Sequence, residues 1–454
     1  MPANRRGRSA TTATGWCDKP APYGRLPMKI VIFNVKYSEN LGDGILAQCL
    51  EIALARGAKG LEVKTIDLAG RTAFGTGGGG RRRLLLKVLQ ALPSFARRLV
   101  VRQALGPTLR RLQVEWQKEI DAADAVVIGG GNLFQDDDLN FPLKVGAALD
   151  CINRSGKPLA VYAVGTSRDW SSQARQLFGM IDESQVVHVS VRDTIAGRNW
   201  LGHFPAGPHA RILPDPGLLV REIVACHALA PLKADDRAIG ICVTDPLILR
   251  RHSSHGSAGT PFRHADDYHQ LLSLMLDAGY RICLFTNGAQ EDQAFARRIL
   301  GGDGLADHID SGDLYLAPRP KTPEELIHII ASTQVILAHR LHACIAAYSL
   351  GVPQVGLGWD AKVEGFFQFV GRPEYFANGP DISARDVASL LEEAARKGID
   401  PAAHASILNQ ARNGISQLRE CLEAHQNRSA SPTIQPVVVP SGRALSGYAL
   451  SHGL

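Results

Sequence analysis

Lys29-Ile30-Val31-Ile32-Phe33-Asn34, then the turn Val35-Lys36-Tyr37-Ser38-Glu39-Asn40-Leu41-Gly42-Asp43, then an apolar-periodic stretch from Gly44 to Arg56, sets the architecture. A short β-branched run fits a parallel strand covered on both faces, and helical periodicity after a polar turn marks the connection to the next strand. The same alternation recurs. Strands are expected at Glu62 to Leu68, Ala125 to Gly129, Leu159 to Gly165, Val186 to Val191 and Arg211 to Leu213, completing one doubly wound domain over residues 28–225. After Pro231 and the charged stretch Lys233 to Arg237 the pattern begins again. Strands Ala238 to Val243, Arg281 to Thr286, Gln334 to Leu337 and Gln354 to Leu357 alternate with helices at His264 to Asp277, Glu291 to Leu300, Pro323 to Ala331, Leu341 to Leu350 and Ala361 to Val370. This second domain is assigned to residues 236–400, followed by a terminal helix at 401–426. Residues 1–27 read as a disordered leader and 427–454 as a Pro-, Ser- and Gly-rich disordered tail. The expected fold is α/β, with two mostly parallel sheets facing a cleft at their carboxyl ends, where such sheets place their ligands.

Composition narrows the function classes. The 454 residues, 45% hydrophobic and 21% charged, carry a net charge of +6, an ordinary globular balance. That charge is unevenly spread: from Arg71 to Val114 there are ten Lys or Arg and no acid, residues 1–27 carry +4, and the remainder is therefore at −8. An acidic body with an appended basic segment is not how a nucleic-acid reader distributes charge, so no nucleic-acid partner is expected. The eight cysteines are scattered without a C-x-x-C pair, which points to reduced thiols in a cytoplasmic setting and gives no metal-type spacing. No apolar run is long enough to span a bilayer.

Five segments at strand ends carry candidate chemistry. Asn40, Gly42 and Asp43 form a turn and helix start whose free N–H groups suit an anion or a sugar hydroxyl. Gly129, Gly130 and Gly131 with Asn132 follow a strand and let a ligand approach the backbone closely; Phe134 stands where a dinucleotide fingerprint needs glycine. Arg192 and Asp193 end another strand, and a guanidinium there fits a carboxylate or phosphate, unless it pairs with the neighbouring Asp. Arg340 and His342, two apart on a stretch read as extended chain, point the same way and bring a fixed cation beside a group that exchanges protons near neutral pH. Asp360 caps a helix that carries Lys362 in its first turn, where a cation is disfavoured unless an anion compensates it.

Together these residues resemble a known family. N-x-G-D at Asn40 to Asp43, G-G-G, S-V-R-D at Ser190 to Asp193, D-P at Asp215-Pro216, R-L-H at Arg340 to His342, A-x-x-x-G-V-P at Ala347 to Pro353 and W-D-x-K-V-x-G-F at Trp359 to Phe366 resemble, in order, the polysaccharide pyruvyl transferases. The resemblance implies two Rossmann-like domains in a GT-B-like arrangement. It also implies transfer of the enolpyruvyl group of phosphoenolpyruvate onto sugar hydroxyls as a ketal, in exopolysaccharide or cell-wall polysaccharide biosynthesis. It places Arg340 and Leu341 at the donor site with Arg192 and Lys362, makes His342 the acid/base, and leaves Asn40, Gly42, Asp43, Gly130, Gly131 and Asn132 as acceptor or cleft-lining residues. Phosphoenolpyruvate is then a co-substrate, and neither a further cofactor nor a metal is expected. His339 departs from the pattern, standing where a small hydroxyl residue is expected. The basic stretch 71–114 reads as an insertion able to lie on an anionic membrane where lipid-linked saccharide acceptors reside. Competing readings are a nucleotide-sugar glycosyltransferase of similar architecture and a non-catalytic scaffold at the membrane surface.

Overall fold

A computed structural model describes residues 28–56, 60–75, 92–227, 238–252 and 260–430. Six strands, β1 (Met28–Asn34), β2 (Leu61–Asp67), β3 (Ala125–Phe134), β4 (Leu159–Thr166), β5 (Val186–Val191) and β6 (Arg211–Ile212), form a parallel sheet in the order β2-β1-β3-β4-β5-β6. Six more, β7 (Ala238–Cys242), β8 (Arg281–Phe285), β9 (Leu314–Leu316), β10 (Val335–Ala338), β11 (Gln354–Leu357) and β12 (Phe376–Ala377), form a second parallel sheet in the order β12-β11-β10-β7-β8-β9. β9 and β12 were not expected from sequence. At three and two residues on the sheet edges, they are too short to carry a periodicity.

Strand alternation distributes the core. Val31 and Phe33 of β1 face one apolar layer with Trp116, Val126 and Ile128, whereas Ile30 and Ile32 face another that continues through Leu41, Ile45, Leu218, Leu341 and Ile345 into the second domain. The junction between domains is thus partly a shared apolar core, and the polar groups described below sit in its margin.

Two expectations change. The glycine run does not follow β3 but lies inside it: Gly129 and Gly131 pair with Tyr162 and Val164, and the register shifts before Phe134. Gly130 and Gly131 have φ of 74° and 81°, and a Cβ on Gly130 would overlap Leu46. Gly130 is therefore required by the packing of helix Leu41–Ala55 on the strand. The basic stretch is likewise not wholly an insertion. Residues 76–91 lie outside the described residues, but from Ser94 onward the stretch belongs to the crossover helix Ser94–Asp121 between β2 and β3. Its Leu109, Leu112, Trp116 and Ile120 are buried, and the Trp116 ring packs edge-on to Phe33 at 5.3 Å.

The last helix, Pro401–Ala430, leaves the second domain and returns to the first. Arg419 donates to the carbonyls of Ala53 and Arg56 at 3.0 Å, and Arg412 reaches Glu222 at 3.4 Å. Residues 1–27, and the expected tail from 431, lie outside the described residues. Among the described residues no helix is long and apolar enough to cross a membrane.

Candidate active site

The turn after β1 crosses the domain junction. Asn40 occupies the N-cap position of helix Leu41–Ala55, but its side chain does not cap. Its Oδ1 accepts from Asn287 Nδ2 at 3.2 Å, and the Leu41 N–H donates to the Asn287 carbonyl at 2.8 Å. Gly42 lies against the second domain: a Cβ there would stand 2.5 Å from Cβ of His342. Asp43 is inside the first helical turn rather than at the cap, and its carboxylate is 3.5 Å from His342 Nδ1.

His342 is the second residue of helix Leu341–Leu350, and its side chain is 10% exposed. Its Nε2 lies 3.8 Å from Asp215 Oδ2, and neither atom has a hydrogen-bond partner. Asp215 is held from the other side, its Oδ1 accepting the Gly217 N–H at 2.9 Å. Burial alone would lift the Asp215 carboxyl, but His342 and Arg192, with the Gly217 N–H, hold it below the usual carboxylate range. Arg192 completes the group, with Nη1 3.9 Å from Asp215 and Nε donating to Asp193 at 3.3 Å. Asp193 at the same time caps helix Thr194–His203 by accepting from Ala196 N at 2.7 Å. The half-buried Asn132, donating to Gln135, is brought to the same place by the β3 bulge; a Cβ on Gly165 would overlap both its amide oxygen and the Arg192 guanidinium.

Arg340 and His342 do not point the same way. The chain turns helical at Leu341, so the two-residue alternation of a strand does not apply, and successive side chains fan around the helix start. Arg340 Nη2 donates to Asp292 Oδ2 at 2.6 Å, with Asp292 fully enclosed and Arg340 12% exposed. Burial raises the Asp292 carboxyl despite Arg340, whereas for Arg340 the attraction of Asp292 outweighs burial and keeps it charged. Asp43 acts on both Arg340 and His342, which ties the buried pair to the junction cluster.

Lys362, in the first turn of helix Ala361–Phe369, places its Nζ 2.7 Å from Asp360 and 5.0 Å over the Trp359 ring. The compensating anion expected from the sequence is thus present within the chain, and Lys362 holds Asp360 low against the effect of burial. His339 is sealed inside the second domain, where Nε2 donates to the Pro261 carbonyl at 2.9 Å and burial lowers its pKa to about 4.

These groups border a small, partly open cavity between the domains. Arg192, Asp193, Asp215 and Lys362 form its polar side; Leu218, Leu341, Ile345, Phe366 and Phe369 form its apolar side. Of the sequence-derived donor set, Arg192, Leu341 and Lys362 line this space, while His342 reaches its edge through Asp215 and Arg340 stands behind. Asp215 entered the sequence reading only through the D-P element of the family resemblance. Asp292 and Asn287 gave no signal, because their partners lie 48 and 247 residues away.

Comparison with known proteins agrees with this architecture. The structure of UDP-GlcNAc 2-epimerase from Methanocaldococcus jannaschii aligns over 87% of this chain and 98% of its own, with a TM-score of 0.53 at 11% identity. A Listeria monocytogenes protein described as a UDP-N-acetylglucosamine 2-epimerase aligns over 90% of this chain and 99% of its own, with a TM-score of 0.50 at 12% identity. At such identities the likeness is one of fold, two parallel-sheet α/β domains in the GT-B-like arrangement. No curated protein matches the chain. Residues 40–361, a span containing Asn40, Asp43, Arg192, Asp215, Arg340 and His342 and ending one residue before Lys362, match the profile of the polysaccharide pyruvyl transferases. The chain belongs to the polysaccharide pyruvyl transferase family.

Proposed function

We propose that this transferase moves the enolpyruvyl group of phosphoenolpyruvate onto two hydroxyls of a saccharide as a ketal, in exopolysaccharide or cell-wall polysaccharide biosynthesis. The observation carrying this reading is the cavity at the domain junction, where Arg192 and Lys362 converge on a space edged by Asp215 and, behind it, His342. A donor bearing a carboxylate and a phosphate is suited by two cations, and those two, one from each domain, line the same cavity. Each is paired with a carboxylate that doubles as a helix cap: Asp193 accepts from Ala196 N and Asp360 from Lys362 N. When a cation swings to the donor, the capped carboxylate keeps the helix N-terminus as its partner, which lowers the cost of exchange.

Ketal formation converts the donor's methylene to a methyl group, forms two C–O bonds from the acceptor and breaks the bond to phosphate. Two hydroxyl protons are released; one is taken up by the enol carbon and the other leaves with phosphate. Asp215, held ionised, accepts a hydroxyl proton, and His342 exchanges protons beside it, an arrangement worth on the order of 10²- to 10⁴-fold in rate. Arg340, committed to Asp292, supports the wall from behind.

The test is incubation of purified protein with phosphoenolpyruvate and a panel of saccharides. Phosphate release together with an acid-labile ketal on the sugar is expected; the absence of both overturns the reading. Thermal stabilisation by a nucleoside diphosphate sugar but not by phosphoenolpyruvate would instead assign a glycosyltransferase.

A further inference from the structure

Helix Ser94–Asp121 carries more exposed apolar surface than its role in the core requires. Of the eight large hydrophobic side chains exposed among the described residues, four, Phe95, Leu99, Val100 and Val114, stand on this one helix, with Phe95 74% and Val114 60% accessible. Its inner side is already satisfied by Leu109, Leu112, Trp116 and Ile120. At 100° per residue, Leu99, Val100, Arg110, Arg111 and Val114 share one outward arc, with the exposed Phe95 and Arg102 on its flank, about 40–60° beyond its edge. Arg102, Arg110 and Arg111 are exposed and form no ion pair among the described residues, in contrast to Arg97 and Arg98, which Asp138 and Asp136 hold at 2.8 and 3.9 Å. No acid occurs in the helix before Glu115.

The location of this face adds to its composition. Asp136 and Asp138 follow directly on the carboxyl end of β3, the edge of the sheet that faces the crevice, so the ion pairs of Arg97 and Arg98 fix the start of the helix at the crevice rim. A surface seated on this helix would lie beside the mouth of the active site. Unpaired guanidiniums alone would fit any polyanion, but a polyanion in water gains nothing from Leu99, Val100 and Val114. A bilayer interface with anionic headgroups takes both kinds of side chain at once.

From charge complementarity and this interleaving we infer that the outer face of helix Ser94–Asp121 docks on an anionic lipid surface, lying on it without crossing it. The enzyme is thereby held with its crevice rim next to a bilayer from which an amphiphilic acceptor is drawn. The docking depends on this face and not on the transfer chemistry, so the two readings fail separately.

The test is co-sedimentation of the full chain with phosphatidylcholine vesicles, with and without phosphatidylglycerol, at low and high salt. Binding is expected only to the phosphatidylglycerol vesicles and is expected to weaken with salt. The triple variant Arg102→Glu, Arg110→Glu, Arg111→Glu should lose affinity by about a hundredfold or more, since each cation near such a surface contributes about fivefold. The double variant Leu99→Ser, Val114→Ser should also bind more weakly. Both variants should keep wild-type phosphate release with a short water-soluble acceptor, which shows that they are folded. Equal binding to both vesicle types, no binding, or binding unchanged in the triple variant overturns the inference. Self-association without vesicles that the triple variant abolishes would assign the face to a second copy and overturns it as well.

Discussion

Asp215 Oδ2 faces His342 Nε2 at 3.8 Å and Arg192 Nη1 at 3.9 Å, all three groups being nearly enclosed. Both distances exceed hydrogen-bond reach, and Asp215 Oδ2 and His342 Nε2 are buried without other hydrogen-bond partners, so the three groups are held together by charge and keep hydrogen-bonding capacity unused. Asp215→Asn keeps the shape and removes the base. It should lower kcat for phosphate release by on the order of 10²- to 10⁴-fold with little change in donor KM. Wild-type turnover in this variant would remove Asp215 from the mechanism.

The buried pair Arg340–Asp292 makes a different prediction. Arg340→Ala leaves a carboxylate enclosed without its cation and should cost about 3–5 kcal/mol of stability, read as a fall in denaturant midpoint. Adding Asp292→Ala should recover part of that loss, because the uncompensated charge goes with it. Lys362→Ala, by contrast, should raise donor KM by about tenfold or more, the loss of one charge-assisted contact, at little cost in stability. A double variant less stable than the sum of its singles would contradict the pairing.

Acid should destabilise the fold through its sealed histidines. Burial lowers the pKa values of His339 and His188 to about 4 from the ordinary 6.5. As pH falls below 6.5 the unfolded chain takes up protons that the folded chain refuses, so stability is complete above that value and is lost between 6.5 and 4. At pH 5 the loss should be roughly 2 kcal/mol for each group. His339→Gln, which retains a donor for the Pro261 carbonyl and does not titrate, should show a shallower loss in thermal melts between pH 7 and pH 5 than wild type. Parallel pH profiles would show that His339 plays no part.

Two glycines should separate folding from activity. In Gly130→Ala a positive φ and overlap with Leu46 combine, and a loss of about 1–3 kcal/mol or more is expected. Gly42→Ala pushes instead on His342 across the junction, so kcat should fall by tenfold or more while the melting temperature changes less than in Gly130→Ala. The reverse order in the two measurements would contradict this reading of the junction.

Where local pattern determines structure, the chain was readable. The strand starting at Lys29, the helix at Leu341 and the cap at Asp193 follow from β-branched runs, helical periodicity and side-chain capping, all confined to a few residues. What escaped depends on distant partners. The glycines at 129–131 read equally well as a ligand loop, because Leu46, which demands Gly130, is more than eighty positions away. Arg340 read as a free cation because Asp292 was invisible beside it, and the direction of His342 went astray because strand alternation was applied to a residue that the expected helix Leu341 to Leu350 already contained. The basic stretch drew attention by its charge, and the buried side of the same helix, four apolar residues among many arginines, was hidden in it.

The returning helix Pro401–Ala430 has a mechanical corollary. Besides the segment joining Cys226 to Ala238, it is a second place where the polypeptide bridges the lobes, and Arg412 and Arg419 fasten it to the far side. Two attachments at separate places, added to the apolar layer that the lobes share, resist twisting of one lobe on the other and so keep Asp43 and Asp215 in register with the same imidazole.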